Sequence, residues 1–399
     1  MQELRLLPGK EKLPLNRHPW IYSGALADGP AAAAGLVRVL TADGRFVAYG
    51  HCNPGSKIRV RLLEWRESRI PDAGWYEETL RSAFALRRGI FADGKTDAAR
   101  LVFSEADALP GLIADRFGPY VVLQLSTAGM EDVRDTLVSA IARLFPECYG
   151  PLAGILERSD GDGRRLEGLP PRSGLLWGAL PAAPLSIREN GLPFAVDLLA
   201  GQKTGFYADQ RENRAVVAPY LQGRRVLDVC SYTGGFSLYA MAAGAASTTL
   251  VDASAWALEQ AGRNLRAAGF ADFETREGNA FQVLRDLQQG GGQAPRYDAI
   301  ILDPPKLAPN RSSLDQALRG YKDLNVQALR LLPPGGLLAT FSCSGLVSQA
   351  LFRETLAYAA KDVRRTVRIL RQLHQSSCHP IPLAFPEAEY LKGMLLQVD

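Results

Sequence analysis

Short runs of alternating hydrophobic and polar positions make up the first ~65 residues, a pattern typical of β-strands joined by turns. The predicted strands cover residues 35–41, 46–49 and 57–63. Asp43-Gly44 marks a hairpin turn between the first two. In the third, Lys57, Arg59 and Arg61 alternate with apolar residues, which predicts three cations on one face. The pattern predicts a small β-barrel with a basic stripe, although an ordinary solvated strand face would look the same.

The pattern from residue 71 to 185 mixes helical and strand periods. Helices are predicted at 75–88 and 130–144, and strands at 99–104, 112–116, 120–125, 154–157 and 174–177. No catalytic motif stands out in this region. We therefore predict a small α+β domain here.

From residue 186 onward helical and strand patterns alternate, which is typical of an α/β domain with a parallel sheet. The predicted strands are 225–228, 248–252, 272–277, 298–302 and 337–342, followed by 363–371 and 391–398. The last two have no helix between them, so we expect a final antiparallel pair. The sequence thus predicts three domains, at 1–70, 71–185 and 186–399.

Composition is ordinary for a globular chain. Of 399 residues, 47% are hydrophobic and 22% charged, which excludes a largely disordered protein. No run approaches the ~18 uncharged apolar residues of a membrane helix, and the first residues lack the apolar core of a signal peptide. We expect no membrane association and a cytoplasmic location.

Charge and cysteine usage narrow the choice of partners. Residues 1–70 carry 11 Lys and Arg against 6 Asp and Glu, which points to a polyanion partner. The five cysteines form no C-x-x-C pair, so neither a disulfide framework nor a metal site is expected.

The first strand of the C-terminal domain carries the clearest motif. Residues 226–237 read VLDVCSYTGGFS, which predicts a strand, a glycine turn and a helix, with a ligand at the carboxyl edge of the sheet. A carboxylate at Asp228 would repel a dinucleotide pyrophosphate and favour a cationic ligand such as a sulfonium. Gly234 and Gly235 let the backbone approach that ligand closely.

Polar residues also end the next strands. Asp252, Asn279 and Asp303 follow Asp228 at spacings of 24, 27 and 24 residues. A carboxylate such as Asp252 suits the two ribose hydroxyls of an adenosine, and the amide of Asn279 suits its adenine. Together these positions predict S-adenosylmethionine as the cofactor.

Five further sequence motifs lie outside or beyond the glycine turn. They are His18-Pro19-Trp20-Ile21-Tyr22-Ser23-Gly24, Lys203-Thr204-Gly205-Phe206-Tyr207-Ala208-Asp209-Gln210-Arg211, Leu302-Asp303-Pro304-Pro305-Lys306, Phe341-Ser342-Cys343-Ser344 and Phe385-Pro386-Glu387-Ala388-Glu389-Tyr390-Leu391-Lys392. With these motifs the sequence resembles, nearly end to end, the large-subunit ribosomal RNA methyltransferase I family, the bacterial 23S rRNA cytosine-5 methyltransferases. Two departures are Asn279, where many such enzymes carry an acid, and Cys378-His379-Pro380 in place of Asp-His-Pro.

The resemblance implies an N-terminal PUA RNA-binding barrel, a small α+β domain and a class I methyltransferase domain with a Rossmann-like sheet. It also implies that Phe206, Asp209, Gln210 and Arg211 contact the cofactor. Pattern and resemblance together predict a cofactor site of Phe206, Asp209, Gln210, Arg211, Asp228, Tyr232, Thr233, Gly234, Gly235, Phe236, Asp252, Ala253, Asn279, Ala280, Asp303 and Pro304.

The expected chemistry requires a thiol, because C5 of cytosine is a weak nucleophile until a thiolate adds to C6. Cys343 ends the fifth predicted strand and is near Asp303 by strand order, so these two are the predicted catalytic residues. Cys230, before the glycine turn, is more typical of a packed residue. For RNA we predict phosphate contacts by Lys306, Lys57, Arg59 and Arg61, and base stacking by Tyr207.

Other functions remain open at this stage. Asp-Pro-Pro motifs also suit methylation of a guanine or adenine nitrogen, which needs no thiol. A second alternative is a non-catalytic RNA-binding assembly factor that retains this fold. A nucleotide-dependent oxidoreductase is disfavoured by Asp228 and by the absence of a third glycine. Ribosomal RNA is the expected partner, and a homodimer is compatible with the sequence.

Overall fold

A computed structural model describes residues 1–27, 33–181, 184–201, 204–289 and 297–399, with the side chain of Asp162 left out. The chain forms two compact units. The first comprises Met1–Glu189, Val196–Ala208 and Cys378–Ala388, and the second comprises Asn190–Ala195, Asp209–Ser377 and Glu389–Asp399. The three-domain boundaries at 70 and 185 stay a prediction.

The first unit begins with a five-stranded sheet. Its strands are β1 (Gln2–Arg5), β2 (Trp20–Tyr22), β3 (Gly35–Leu40), β4 (Phe46–Cys52) and β5 (Ile58–Glu64), in the order β1-β3-β4-β5-β2, and a short helix α1 (Lys12–Leu15) follows β1. Strands β3 to β5 confirm the three predicted strands. Alternate residues such as Val37, Val39, Val60 and Leu62 are buried and pack into one core.

A second sheet of the same unit carries the α+β part. The elements are α2 (Ala73–Phe91), β6 (Ala98–Phe103), β7 (Leu112–Phe117), β8 (Tyr120–Leu125), α3 (Ala128–Asp132), α4 (Arg134–Tyr149), β9 (Gly154–Ser159), α5 (Asp162–Leu166) and β10 (Arg172–Gly178). The strand order is β10-β9-β8-β7-β6, with only β8 and β9 parallel among the described pairs. Helix α2 begins after Asp72, whose side chain accepts a hydrogen bond from the Trp75 amide.

The second unit is built on a seven-stranded sheet. After β11 (Leu185–Glu189) and β12 (Leu192–Val196) come α6 (Arg211–Val217), β13 (Arg225–Val229), α7 (Gly235–Ala242), β14 (Ser247–Asp252), α8 (Ala255–Ala267), β15 (Phe273–Glu277), α9 (Ala280–Gln289), β16 (Ala299–Leu302), α10 (Leu314–Leu331), β17 (Leu337–Ser342), α11 (Gln349–Asp362), β18 (Val367–His374) and β19 (Lys392–Val398). The order is β15-β14-β13-β16-β17-β19-β18.

Strands β13 to β17 run parallel, whereas β19 pairs antiparallel with both β17 and β18. This confirms the α/β prediction and its antiparallel end. All four residues of β16 are buried, as expected for a strand covered on both faces.

The chain leaves β13 toward β14 on one side and returns to β16 on the other. This switch in strand order opens a crevice at the carboxyl ends of the strands, where ligands bind in such sheets. In the part of the chain described here, no helix combines the length and apolar character needed to cross a membrane.

Candidate functional site

The turn after β13 is built from strained backbone. Cys230 and Tyr232 have φ values of 62° and 48°, and Gly234 has a φ of 79°. Non-glycine residues in this left-handed region are costly and concentrate at ligand sites. A Cβ on Gly234 would lie 3.0 Å from the Cβ of Ala261, so the turn requires glycine there.

Asp228 supports this turn from the interior. Its side chain is 1% exposed, and Oδ2 accepts hydrogen bonds from the amide and hydroxyl of Ser237, at 3.1 and 2.7 Å. Burial raises the pKa of Asp228 from 3.8 to about 6, against the effect of the Ser237 hydrogen bonds. In the structure its Oδ2 fixes the start of α7, and the attraction of a cationic ligand by Asp228 stays a prediction.

Asp252 is oriented by backbone groups at the end of β14. Its Oδ2 accepts a hydrogen bond from the Tyr232 amide and its Oδ1 one from the Ser254 amide, both at 2.9 Å. The half-buried carboxylate is therefore fixed beside the glycine turn. Asn279 is exposed, and its Oδ1 accepts from the Phe281 amide at 3.0 Å, which starts α9.

The Asp-Pro-Pro-Lys loop is connected to the segment that precedes α6. Gln210 Nε2 donates to Asp303 Oδ2 at 2.9 Å, and Asn213 Nδ2 donates to Gln210 Oε1 at 2.6 Å. The structure thus brings together Gln210 and Asp303, which were predicted from separate sequence motifs. The amide of Gln210 is held by Asn213, so it presents its NH₂ group to Asp303.

Neighbouring residues of the same motif are also held in place. Tyr390 Oη donates to Asp209 Oδ2 at 2.5 Å. Arg211 is 6% exposed, and its Nη2 donates to Glu212 Oε1 at 2.8 Å. Phe206 and Tyr207 belong to the first unit, and Lys203 lies outside the described residues.

The remaining predicted cofactor residues flank the same strand ends. Thr233 accepts a hydrogen bond from Asn264 through its carbonyl, and the rings of Phe236 and Phe341 have centroids 5.3 Å apart. Gly235 follows the turn as the first residue of α7. Ala253 is exposed after β14, and Ala280 is half-buried at the start of α9.

Cys343 lies against the Asp-Pro-Pro-Lys loop. It directly follows β17, is half-buried, and its Sγ lies 3.9 Å from the carbonyl oxygen of Pro304. Pro304 follows Asp303, so the sulfur of Cys343 contacts the residue next to Asp303 at the carboxyl edge of the sheet. Cys230 differs, because burial and the nearby Asp303 raise the pKa of its thiol well above the ordinary value.

Lys392 is a further charged residue at this edge, which the sequence analysis did not single out. It is 1% exposed, and its Nζ donates to the carbonyl oxygens of Ser344 and Tyr390 at 2.9 and 2.8 Å. The only signal in the sequence was its place in the tail motif, which carries no obvious chemistry.

The three residues of the predicted basic stripe differ in their exposure and ion pairing. Arg61 is paired through its terminal nitrogens with Glu105 and Glu167, at 2.9 and 3.1 Å, and its side chain is 15% exposed. Lys57 is exposed and Arg59 half-buried. Lys306 is exposed in the loop after Asp303.

These features fit an adenosine-bearing sulfonium cofactor. The strained turn presents open backbone at a strand switch point, and Asp252 offers an oriented carboxylate at the end of the adjacent strand. The polar residues at the strand ends complete a donor and acceptor set suited to a nucleoside.

Comparisons with known proteins agree with this geometry. Residues 4–65 match a family model described as a PUA-like domain, and residues 170–376 match one described as an S-adenosylmethionine-dependent methyltransferase. A protein of Shewanella denitrificans, named Ribosomal RNA large subunit methyltransferase I, is 44% identical over 400 residues, covering 99% of both chains.

Two solved structures share the fold over 100% of both chains. A Streptococcus mutans protein described as a SAM-dependent methyltransferase has a TM-score of 0.84 at 21% identity. A protein described as a methyltransferase complexed with SAH has a TM-score of 0.85 at 22% identity. The expected PUA-like and class I methyltransferase folds are confirmed, as is S-adenosylmethionine as the cofactor. The chain belongs to the ribosomal RNA large subunit methyltransferase I family.

Proposed function

We propose that this protein methylates C5 of a cytosine in the 23S RNA of the large ribosomal subunit, with Cys343 as the nucleophile. Ribosomal RNA as the substrate follows from the names of the relatives and from the PUA-like segment. The observation that carries the C5 chemistry is the position of the Cys343 sulfur against Pro304, beside Asp303. A methyltransferase acting on a ring nitrogen forms no covalent adduct with the base, so it needs no thiol at this position.

The proposed chemistry balances without a further reactant. The Cys343 thiolate forms a bond to C6 of cytosine, and the displaced π electrons make C5 nucleophilic. Bound S-adenosylmethionine would supply an electrophilic methyl group on a sulfonium. C5 forms a bond to this methyl carbon as the methyl–sulfur bond breaks, and neutral S-adenosylhomocysteine is the leaving group. A base then removes the C5 proton, and the electron pair of that C–H bond restores the double bond as the C6–S bond breaks. The thiolate is regenerated.

Asp303 is proposed to bind the cytosine amino group. Its carboxylate is positioned by the Gln210 amide, which is itself fixed by Asn213. A carboxylate that accepts hydrogen bonds from the base holds C6 near the thiol and favours attack.

Asp252, Asn279 and the glycine turn are proposed to hold the cofactor. Asp252 suits the ribose hydroxyls, because two backbone amides already orient both of its oxygens. The exposed amide of Asn279 suits the adenine, and half-buried Phe281 suits its ring face.

For RNA docking we propose Lys57, Arg59 and Lys306 as phosphate contacts. All three side chains are at least partly exposed. Arg61 is left out of this set, because both of its terminal nitrogens are engaged by carboxylates within the first unit. Such phosphate contacts position the RNA without reading its sequence.

The test is methyl transfer to large-subunit rRNA followed by nucleoside mass spectrometry. We expect 5-methylcytidine from the parent protein, and loss of product with Cys343→Ala. Cys148→Ala, in the first unit, is the matched control and is expected to keep activity.

A covalent adduct gives an independent test. RNA containing 5-fluorocytosine carries no C5 proton to remove, so the thioether to C6 should persist and shift the protein mass. A methylated guanine or adenine, or full activity of Cys343→Ala, would contradict the proposal.

A further inference from the structure

Lys392 is a buried cation next to the proposed nucleophile. It opens β19 and pairs across the ladder with Ser342, the residue before Cys343. Its Nζ donates to the carbonyl oxygen of Ser344, the residue after Cys343. The ammonium of Lys392 is therefore fixed to the backbone of the residue that follows Cys343.

The groups that accept hydrogen bonds from this ammonium carry no charge. Its two hydrogen-bond acceptors, on Ser344 and Tyr390, are neutral carbonyls. Burial lowers the pKa of Lys392 from 10.5 to about 8, while Glu389 and Cys343 act in the opposite direction. A buried ammonium is costly unless an anion compensates it, and a Cys343 thiolate would do so.

The thiol has charged or titratable neighbours on three elements. Lys392 on β19 is the cation, Asp303 lies in the loop whose Pro304 contacts the sulfur, and buried Tyr321 on α10 has its hydroxyl 3.0 Å from Ser344 Oγ. The Asp303 carboxylate opposes a thiolate, but its Oδ2 accepts a hydrogen bond from Gln210, which disperses part of that charge. Burial and the charge of a Cys343 thiolate both raise the pKa of Tyr321, so this phenol stays neutral and adds no competing anion.

We propose that Lys392 is a positioning residue that stabilises Cys343 as a thiolate, an inference that rests on the proposed role of Cys343 as nucleophile. The thiolate, rather than the thiol, attacks C6. An adjacent ammonium fixed by two carbonyls stabilises that charge in the resting protein, before any substrate arrives.

The experiment is alkylation of the full chain by iodoacetamide between pH 5.5 and 9.5, with modification of Cys343 followed by peptide mass spectrometry. We expect the parent rate to reach half its maximum well below pH ~8.5, the value of an unperturbed thiol. Lys392→Met should raise this midpoint by about one pH unit and slow alkylation at pH 7 about tenfold.

Two variants serve as controls. Lys392→Arg keeps the charge and should keep the midpoint near that of the parent. Lys361→Met removes an exposed lysine on α11 and should change nothing. Calorimetry with S-adenosylmethionine verifies that each variant is folded.

A parent midpoint at or above pH ~8.5 overturns the inference without any variant, so it stays testable if Lys392→Met does not fold. An unchanged midpoint in folded Lys392→Met also overturns it. A low midpoint together with a nitrogen-methylated product would support the Lys392–Cys343 pair and refute the C5 chemistry. A 5-methylcytidine product with an ordinary midpoint would refute the role of Lys392 alone.

Discussion

Replacing Asp228 by Asn should stabilise the second unit at neutral pH. Asp228 is buried beneath the glycine turn, and burial raises its pKa from 3.8 to about 6. The folded state therefore holds the proton more tightly than the unfolded chain. The contribution of Asp228 to the free energy of unfolding is fully present below pH ~3.8 and is lost as the pH rises through about 6.

The magnitude follows from linkage. A change in pKa from 3.8 to about 6 costs ~3 kcal/mol at pH 7.5 and ~2 kcal/mol at pH 5. Asn is nearly isosteric with Asp and its carbonyl oxygen can still accept both hydrogen bonds from Ser237, so the variant escapes this cost. Its advantage over the parent should grow by ~1 kcal/mol between pH 5 and pH 7.5.

Hydrogen-exchange mass spectrometry of peptides from β13 and α7 measures this free energy for the second unit itself. Asp272→Asn, an acid-to-amide change at an exposed position, is the matched control and should show no pH-dependent difference. The reasoning is refuted if Asp228→Asn protects these peptides equally at both pH values, or if it destabilises them more at pH 7.5 than at pH 5.

Three other substitutions test the site and its scaffold. Gln210→Leu removes the donor to Asp303, and we expect single-turnover methyl transfer to fall ~10-fold or more; a rate within about twofold of the parent would contradict this. Arg61→Met leaves buried Glu167 and half-buried Glu105 without their shared cation, so thermal unfolding should show a loss of ~3 kcal/mol, and an unchanged midpoint would count against it. Gly234→Ala places a Cβ 3.0 Å from that of Ala261 at a φ of 79°, and calorimetry should detect cofactor binding weakened at least ~10-fold; undiminished affinity would show that the turn tolerates a side chain.

Much of the fold was predictable from the sequence because it depends on local periodicity. Strands β8 and β17 lie at the predicted bounds, and the antiparallel end followed from the missing helix between the last two strands. The predicted helix at 130–144 is divided at Val133 into α3 and α4, which the continuous apolar pattern concealed. Strands β1 and β2 are too short to leave a periodic signal.

In the candidate site, the sequence predicted the positions of residues that directly follow a strand, but not the contacts between residues that are distant in the chain. Asp303 and Cys343 were placed together by strand order alone, and the sulfur does lie against the loop that begins at Asp303. Alternation put Arg61 on a face with Lys57 but gave no sign of its carboxylate partner Glu167, 106 residues away. Lys392 escaped notice for the same reason, because its importance depends on a ladder pairing with a residue 50 positions earlier.

The two ends of the seven-stranded sheet are assembled differently, because β19 lies between β17 and β18 although it follows both in the chain. One side of the sheet, β13 to β15, comes from consecutive chain and carries the residues proposed to hold the methyl donor. The other side includes β19, which runs antiparallel to its neighbours and carries Lys392, the residue proposed to stabilise the Cys343 thiolate. Local unfolding of β19 would therefore separate binding of the methyl donor from activation of Cys343. Such a partly unfolded protein would still bind the methyl donor but could no longer activate the cytosine. Purification by affinity for the methyl donor would not distinguish it from the working enzyme.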